Sequence, residues 1–175
     1  MTLAFFTVSA LDVLGVLFTR TTSEERREYT EWIYRCQHPH GGFRGFPGTD
    51  FGDLANDNNA AWDPANLAAT FFAVSALCVL GDDLKRLDRA ACLKSIQRLQ
   101  MGSGCFAELR SGDGELVGGG DPRFAYMAAS LRWMIRGPST AQSDLPDFDV
   151  DALIRWVGQA EVREGVLCRS RQNRG

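Results

Sequence analysis

Cys36-x-His38-x-His40 gathers one thiol and two imidazoles within five residues, and thiolate and imidazole are ligands that zinc favours. The spacing matches no common zinc pattern, and Pro39 fixes the backbone between the two histidines. The string therefore reads as a loop that ends a helix. A magnesium site of the Asp-Asp-x-x-Asp kind needs a third carboxylate, but Asp82-Asp83 is followed by Leu84, Lys85 and Arg86. The five cysteines, Cys36, Cys78, Cys92, Cys105 and Cys168, include no C-x-x-C pair and no disulfide framework, which points to a reducing, cytoplasmic setting. Spacing alone assigns no catalytic residue and no metal ligand.

The elements that would position any site are set by a repeat. Phe5-Phe6-Thr7-Val8-Ser9-Ala10-Leu11-Asp12-Val13-Leu14-Gly15 returns as Phe71-Phe72-Ala73-Val74-Ser75-Ala76-Leu77-Cys78-Val79-Leu80-Gly81, with nine of eleven positions identical at an offset of 66. A weaker third copy, Phe124 to Leu131, puts Ser130 at 55 residues after Ser75. A second motif alternates with the first. Gln37-x-x-x-Gly41-Gly42-Phe43 returns 63 residues later as Gln100-x-x-x-Gly104-Cys105-Phe106, then in degraded form as Glu161-x-x-x-Gly165-Val166-Leu167. A fixed period fixes the architecture.

Leu3 to Leu17 is apolar around most of its circumference, as a buried helix is. Thr22-x-x-Glu25 forms a capping box that opens an amphipathic helix through Gln37, with Tyr29, Ile33 and Cys36 facing inward. Residues 44–65 read as a long loop, and Asp63-Pro64 as a cap followed by Pro at the first helical position. A second buried helix runs from Ala65 to Leu80, and a second amphipathic one from Leu87 to Gln100. Gly102 to Gly120 is loop. Pro122 to Ile135 is the third inner helix, and Asp147, Asp149 and Asp151 lead into a third outer helix, where Leu153, Trp156, Val157 and Ala160 share a face. Gln37 and Gln100 are expected to bond helix-end backbone groups between neighbouring hairpins. No segment alternates with period two, so no strands are expected. The sum is three α-hairpins whose apolar members face a shared hollow.

Length, composition and charge narrow the function. At 175 residues with 45% apolar and 23% charged content, the chain suits one globular domain. A net charge of −3 and a pI near 5.4 argue against a nucleic-acid partner. Arg169, Arg171 and Arg174 crowd the tail, as a solvated terminus does. Leu3–Phe18 lacks a preceding basic residue and contains Asp12, so it reads as a core helix and not as a signal peptide. No run reaches the roughly 18 uncharged apolar residues of a membrane span.

Paired helices joined by Gln-x-x-x-Gly-Gly-Phe turns resemble the repeat of the α/α-toroid proteins. Within that fold, Thr2-Leu3-Ala4-Phe5-Phe6, Gly42-Phe43-Arg44-Gly45, Leu67 through Gly81-Asp82-Asp83-Leu84, and Asp121-Pro122-Arg123-Phe124-Ala125-Tyr126 are similar to the β subunits of protein prenyltransferases, those of the type I geranylgeranyl enzymes in particular. The resemblance covers residues 1–167 as a partial, all-α toroid domain. Residues 168–175 match nothing and are expected to be a disordered tail.

That resemblance implies transfer of a geranylgeranyl group from geranylgeranyl diphosphate to the cysteine of a C-terminal CaaX motif, on proteins such as small GTPases. It also implies an α subunit as partner and a zinc ion that activates the thiol. Thr2 stands where a small residue admits the longer isoprenoid, and Phe6 matches an aromatic wall. Arg123 and Tyr126 match residues beside the isoprenoid and the peptide tail, with a plain salt bridge to a loop Asp as the alternative for Arg123, and Phe72 (with Phe71) adds aromatic wall or equally packs into the core. The family's zinc ligands and diphosphate-binding cluster match nothing in this chain. A partial β subunit, inactive as an isolated polypeptide, is the expectation, with a non-catalytic helical-repeat protein that binds an α subunit or a lipid tail as the alternative. The terpene cyclases share the fold, but their Asp-x-Asp-Asp acid is reduced here to Asp149-Val150-Asp151-Ala152.

Overall fold

A computed structural model describes residues 1–56, 58–137, 144–159, 161–163 and 166–168. The helices are α1 (Thr2–Val13), α2 (Leu17–Arg20), α3 (Ser23–Arg35), α4 (Leu67–Val79), α5 (Arg89–Gln97), α6 (Pro122–Arg136) and α7 (Val150–Gly158). Helices α1, α4 and α6 form the inner layer, with α4 packed between the other two. Helix α3 packs against α4 and α5 against α6, so the first two outer helices each back onto the following inner one.

The starts of α3 to α7 are each fixed by a side chain that satisfies an orphan amide. Thr22 and Glu25 complete the capping box reciprocally, with Glu25 N–H donating to Thr22 Oγ1 at 3.1 Å and Thr22 N–H to Glu25 Oε2 at 2.8 Å. Asn66 caps α4, Asp88 caps α5, Asp121 caps α6 and Asp149 caps α7. The core lies between the layers. Leu67, Val74, Leu77, Leu93, Ile96, Leu131 and Ile135 are all almost completely buried there.

Several expectations need correction. Helix α1 ends at Val13, not Leu17; the chain turns through Gly15 and makes the separate short helix α2. Asp63-Pro64 does not cap α4. Asn66 does, because Asp63 is claimed by a buried arginine described below. Asp147 does not serve the start of α7 either; it receives two hydrogen bonds from Arg132, at 2.8 and 2.7 Å. Tyr29 is 38% exposed and does not share the burial of Ile33 and Cys36. Residues 44–65 hold three 3-10 turns, Pro47–Thr49, Gly52–Leu54 and Ala60–Trp62.

Strands do occur. Strand β1 (Leu109–Arg110) pairs antiparallel with β2 (Leu116–Val117), and β3 (Glu161–Arg163) with β4 (Val166–Cys168). Segments of two or three residues are too short to show an alternating pattern. Ala160, Gly165 and Arg169 to Arg174 lie outside the described residues. So does most of the expected tail.

The Gln-x-x-x-Gly-x-Phe turn is a joint between hairpins. Gln37 bridges Phe43 and Gln100 bridges Phe106 through the main chain, and both phenylalanines are fully buried. Gln100 Nε2 donates to Asp149 O at 2.8 Å while Asp149 N–H donates to Gln100 Oε1 at 2.8 Å. One amide therefore reads both backbone groups of the next outer helix's cap, as the sequence leads one to expect. Gln37 Oε1, by contrast, is buried with no hydrogen-bond partner among the described residues.

The two copies differ one residue later. The second carries Ala107, fully buried, and the first carries Arg44, 2% exposed. Arg44 Nε and Nη2 donate to Asp63 Oδ1 and Oδ2, both at 2.6 Å, and Nη1 reaches Asp50 Oδ2 and Gln37 O at 3.2 Å each. Such a buried guanidinium needs all of these acceptors.

Candidate functional site

A hollow of about 510 Å3 opens between the three inner helices. Phe5 of α1, Phe71 and Ser75 of α4, and Tyr126, Ser130 and Trp133 of α6 line it. The aromatic rings form a continuous array. Phe5 lies 5.2 Å from Phe72 and 5.5 Å from Phe6, Phe6 lies 5.6 Å from Phe72, and Phe71 lies 5.3 Å from Phe72 and 5.5 Å from Tyr126. All are tilted or edge-to-face, the arrangements aromatic pairs favour.

This face is apolar yet open to solvent. Phe6 is 56% exposed, Tyr126 62% and Trp133 66%, and contiguous exposed apolar surface of this kind marks a binding site. The repeat explains its construction. An inner helix that is apolar all round packs against its neighbours on some faces and still presents aromatic side chains on the remaining one.

Of the five residues singled out from the sequence, Phe6, Phe72 and Tyr126 come together in this array. Thr2 is exposed at the first residue of α1, one turn before Phe6. Arg123 lies one turn before Tyr126 on α6 but is turned onto Asp121, with Nη2 2.6 Å from Oδ2 and Nε at 3.1 and 3.0 Å from the two oxygens. Those hydrogen bonds hold the Asp121 carboxyl below the usual carboxylate range. Sequence reasoning passed over Trp133, Ser75 and Ser130 as lining residues. A signal was present, because Tyr126, Ser130 and Trp133 follow the i, i+4, i+7 spacing of one helix face.

The histidine-bearing loop is engaged in structure. His40 N–H donates to His38 Nδ1 at 3.1 Å, which places the neutral ring's proton on Nε2, 3.7 Å from Asp63 Oδ2. The buried Cys36 Sγ donates to Trp32 O at 3.5 Å. Among the described residues no three His, Cys, Asp or Glu side chains converge into a set that could hold a metal ion. These residues do not fit a zinc site.

Burial, and after it the Arg44 charge, push the His38 pKa below its ordinary value of 6.5. The unfolded chain then binds more protons than the folded one as pH falls through that value, so stability is lost on acidification. Urea unfolding at pH 7.5 and 5.5 should show the protein less stable at the lower pH. In His38→Gln the difference should shrink. An unchanged difference would place the titration elsewhere.

The fold and the aromatic face can be set beside known proteins. The family model for the prenyltransferase alpha-alpha toroid domain matches residues 1–174. The chain belongs to this family. A curated relative, the geranylgeranyl transferase type-1 subunit beta of Arabidopsis thaliana, is 29% identical over 145 residues, which is 77% of this chain and 36% of the relative. Among solved structures, the Candida albicans protein geranylgeranyltransferase-I complexed with GGPP superposes with a TM-score of 0.74 at 18% identity, covering 95% of this chain and 45% of that one. At that identity the superposition speaks for the fold. This toroid-family chain spans less than half the length of either relative. Among its described residues no helix is long and apolar enough to cross a membrane.

Proposed function

We propose that the aromatic hollow holds the isoprenoid of geranylgeranyl diphosphate, and that the chain acts as part of a type I protein geranylgeranyltransferase β subunit in the cytoplasm. The supporting observation is the continuous aromatic array from Phe6 to Tyr126, solvent-exposed on one face and shared by all three inner helices. The reaction joins C1 of the isoprenoid to the cysteine sulfur of a CaaX tail. The C1–O bond breaks, the thiol proton is lost and diphosphate leaves.

In this reading Phe6, Phe72 and Tyr126 exclude water from the chain, and the small Thr2 leaves room for its length. Arg123 can face a carboxylate or diphosphate only in competition with Asp121. An α subunit is the expected partner, and small GTPases are the expected class of CaaX substrate. A zinc ion would supply a thiolate at neutral pH, with ligands other than the described residues.

Trp133 is a built-in reporter. Geranylgeranyl diphosphate should change its fluorescence saturably. Phe72→Ala and Tyr126→Ala should each weaken binding about tenfold, the scale of losing one aromatic contact and its buried area. Phe18→Ala, on α2, should not. Equal affinities in all four proteins would contradict the assignment.

A further inference from the structure

A hollow larger than the aromatic one, about 750 Å3, lies elsewhere. It sits among the helix-end loops between the first and second hairpins and shares no lining residue with the aromatic hollow. That size is ordinary for a small-molecule site. Leu67 at the start of α4, with Ile96 and Leu99 around the end of α5, give it buried apolar wall.

Its charges divide into two groups. Arg44, Asp63 and Asp50 satisfy one another and sum to −1. Arg98 and Arg110 are exposed and also line the hollow, and among the described residues neither guanidinium has an ion-pair or hydrogen-bond partner. Two unpaired cations therefore border an apolar wall, and the lining carries a net charge of about +1 with neutral histidines. Guanidinium groups bind phosphate and carboxylate by paired N–H donors.

We propose that this hollow binds a small amphipathic anion, its apolar body against Leu67, Ile96 and Leu99 and its phosphate or carboxylate head between Arg98 and Arg110. The site is independent of the isoprenoid face. It would give the protein a second ligand, one that distinguishes an anionic head from a neutral one.

Calorimetric titration with decyl phosphate, decanoate and decanol, each below its aggregation limit, tests this. Both anions should bind, decanol at least about tenfold more weakly. The double variant Arg98→Gln/Arg110→Gln should lose about tenfold for either anion with its melting temperature unchanged, since both side chains are exposed and unpaired. Tyr126→Ala and Trp133→Ala should leave binding intact, which separates this site from the aromatic hollow. A stronger response to decyl phosphate assigns a phosphate ligand, and to decanoate a carboxylate. No anion binding, equal binding of decanol, an unaffected double variant, or loss in Trp133→Ala would each overturn the proposal.

Discussion

Asp63→Ala is expected to destabilise the protein by about 3–5 kcal/mol, the cost of stranding a buried charge. Arg44 is 2% exposed, and Asp63 supplies the bidentate acceptor pair at 2.6 Å. Asp50, at 3.2 Å and half-exposed, cannot take its place. The double variant Arg44→Met/Asp63→Leu should recover most of the loss, because it removes the charge along with its partner. Urea unfolding of the three proteins checks this. A loss below about 1 kcal/mol in Asp63→Ala would show that the guanidinium reaches water, as an exposed pair's would.

Gly104→Ala should cost about 3 kcal/mol or more, summing roughly 1–3 for a strained backbone and 1–3 for steric overlap. Gly104 has φ +94°, and a Cβ there would stand 2.1 Å from Ala152 O in the first turn of α7. Gly41 repeats the arrangement one hairpin earlier, with φ +96° and the same 2.1 Å to Ala91 O in α5. Backbone meets backbone at both places, so no rotamer change relieves the overlap. Gly102→Ala, where a Cβ would have nothing within 4 Å, is the control and should unfold like the parent in thermal melts. Equal melting temperatures for Gly104→Ala and Gly102→Ala would mean that the turn does not lock neighbouring hairpins.

These two sites show why the repeat was legible in the sequence. Glycine and phenylalanine recur at fixed spacing because each has a separate task in both joints, close approach and a fully buried anchor, and at Gln100 the glutamine adds a two-way bond to the next cap. Inner helices α1 and α4 were legible for a related reason, being apolar around most of their circumference. What escaped notice was decided by partners distant in sequence. Asp63-Pro64 has the form of a helix start, but the demand of buried Arg44 outweighs local capping preference, and Asn66 caps instead. Asp147 is diverted in the same way to Arg132. At the aromatic face Phe6, Phe72 and Tyr126 were visible through resemblance. Trp133 belongs to none of the motif strings that carry the resemblance, so only its spacing from Tyr126 and Ser130 marks it. The β1–β2 and β3–β4 pairs left no periodic trace in so few residues.

The most direct measurement is photo-crosslinking with a geranylgeranyl diphosphate analogue that carries a diazirine along its isoprenoid, followed by peptide mapping. Labels are predicted on the inner helices, in residues 2–13, 67–79 and 122–136, and should be suppressed by excess unmodified geranylgeranyl diphosphate. Suppressible labels confined to the loops of residues 38–66 and 98–112, with the inner helices unmarked, would contradict the account.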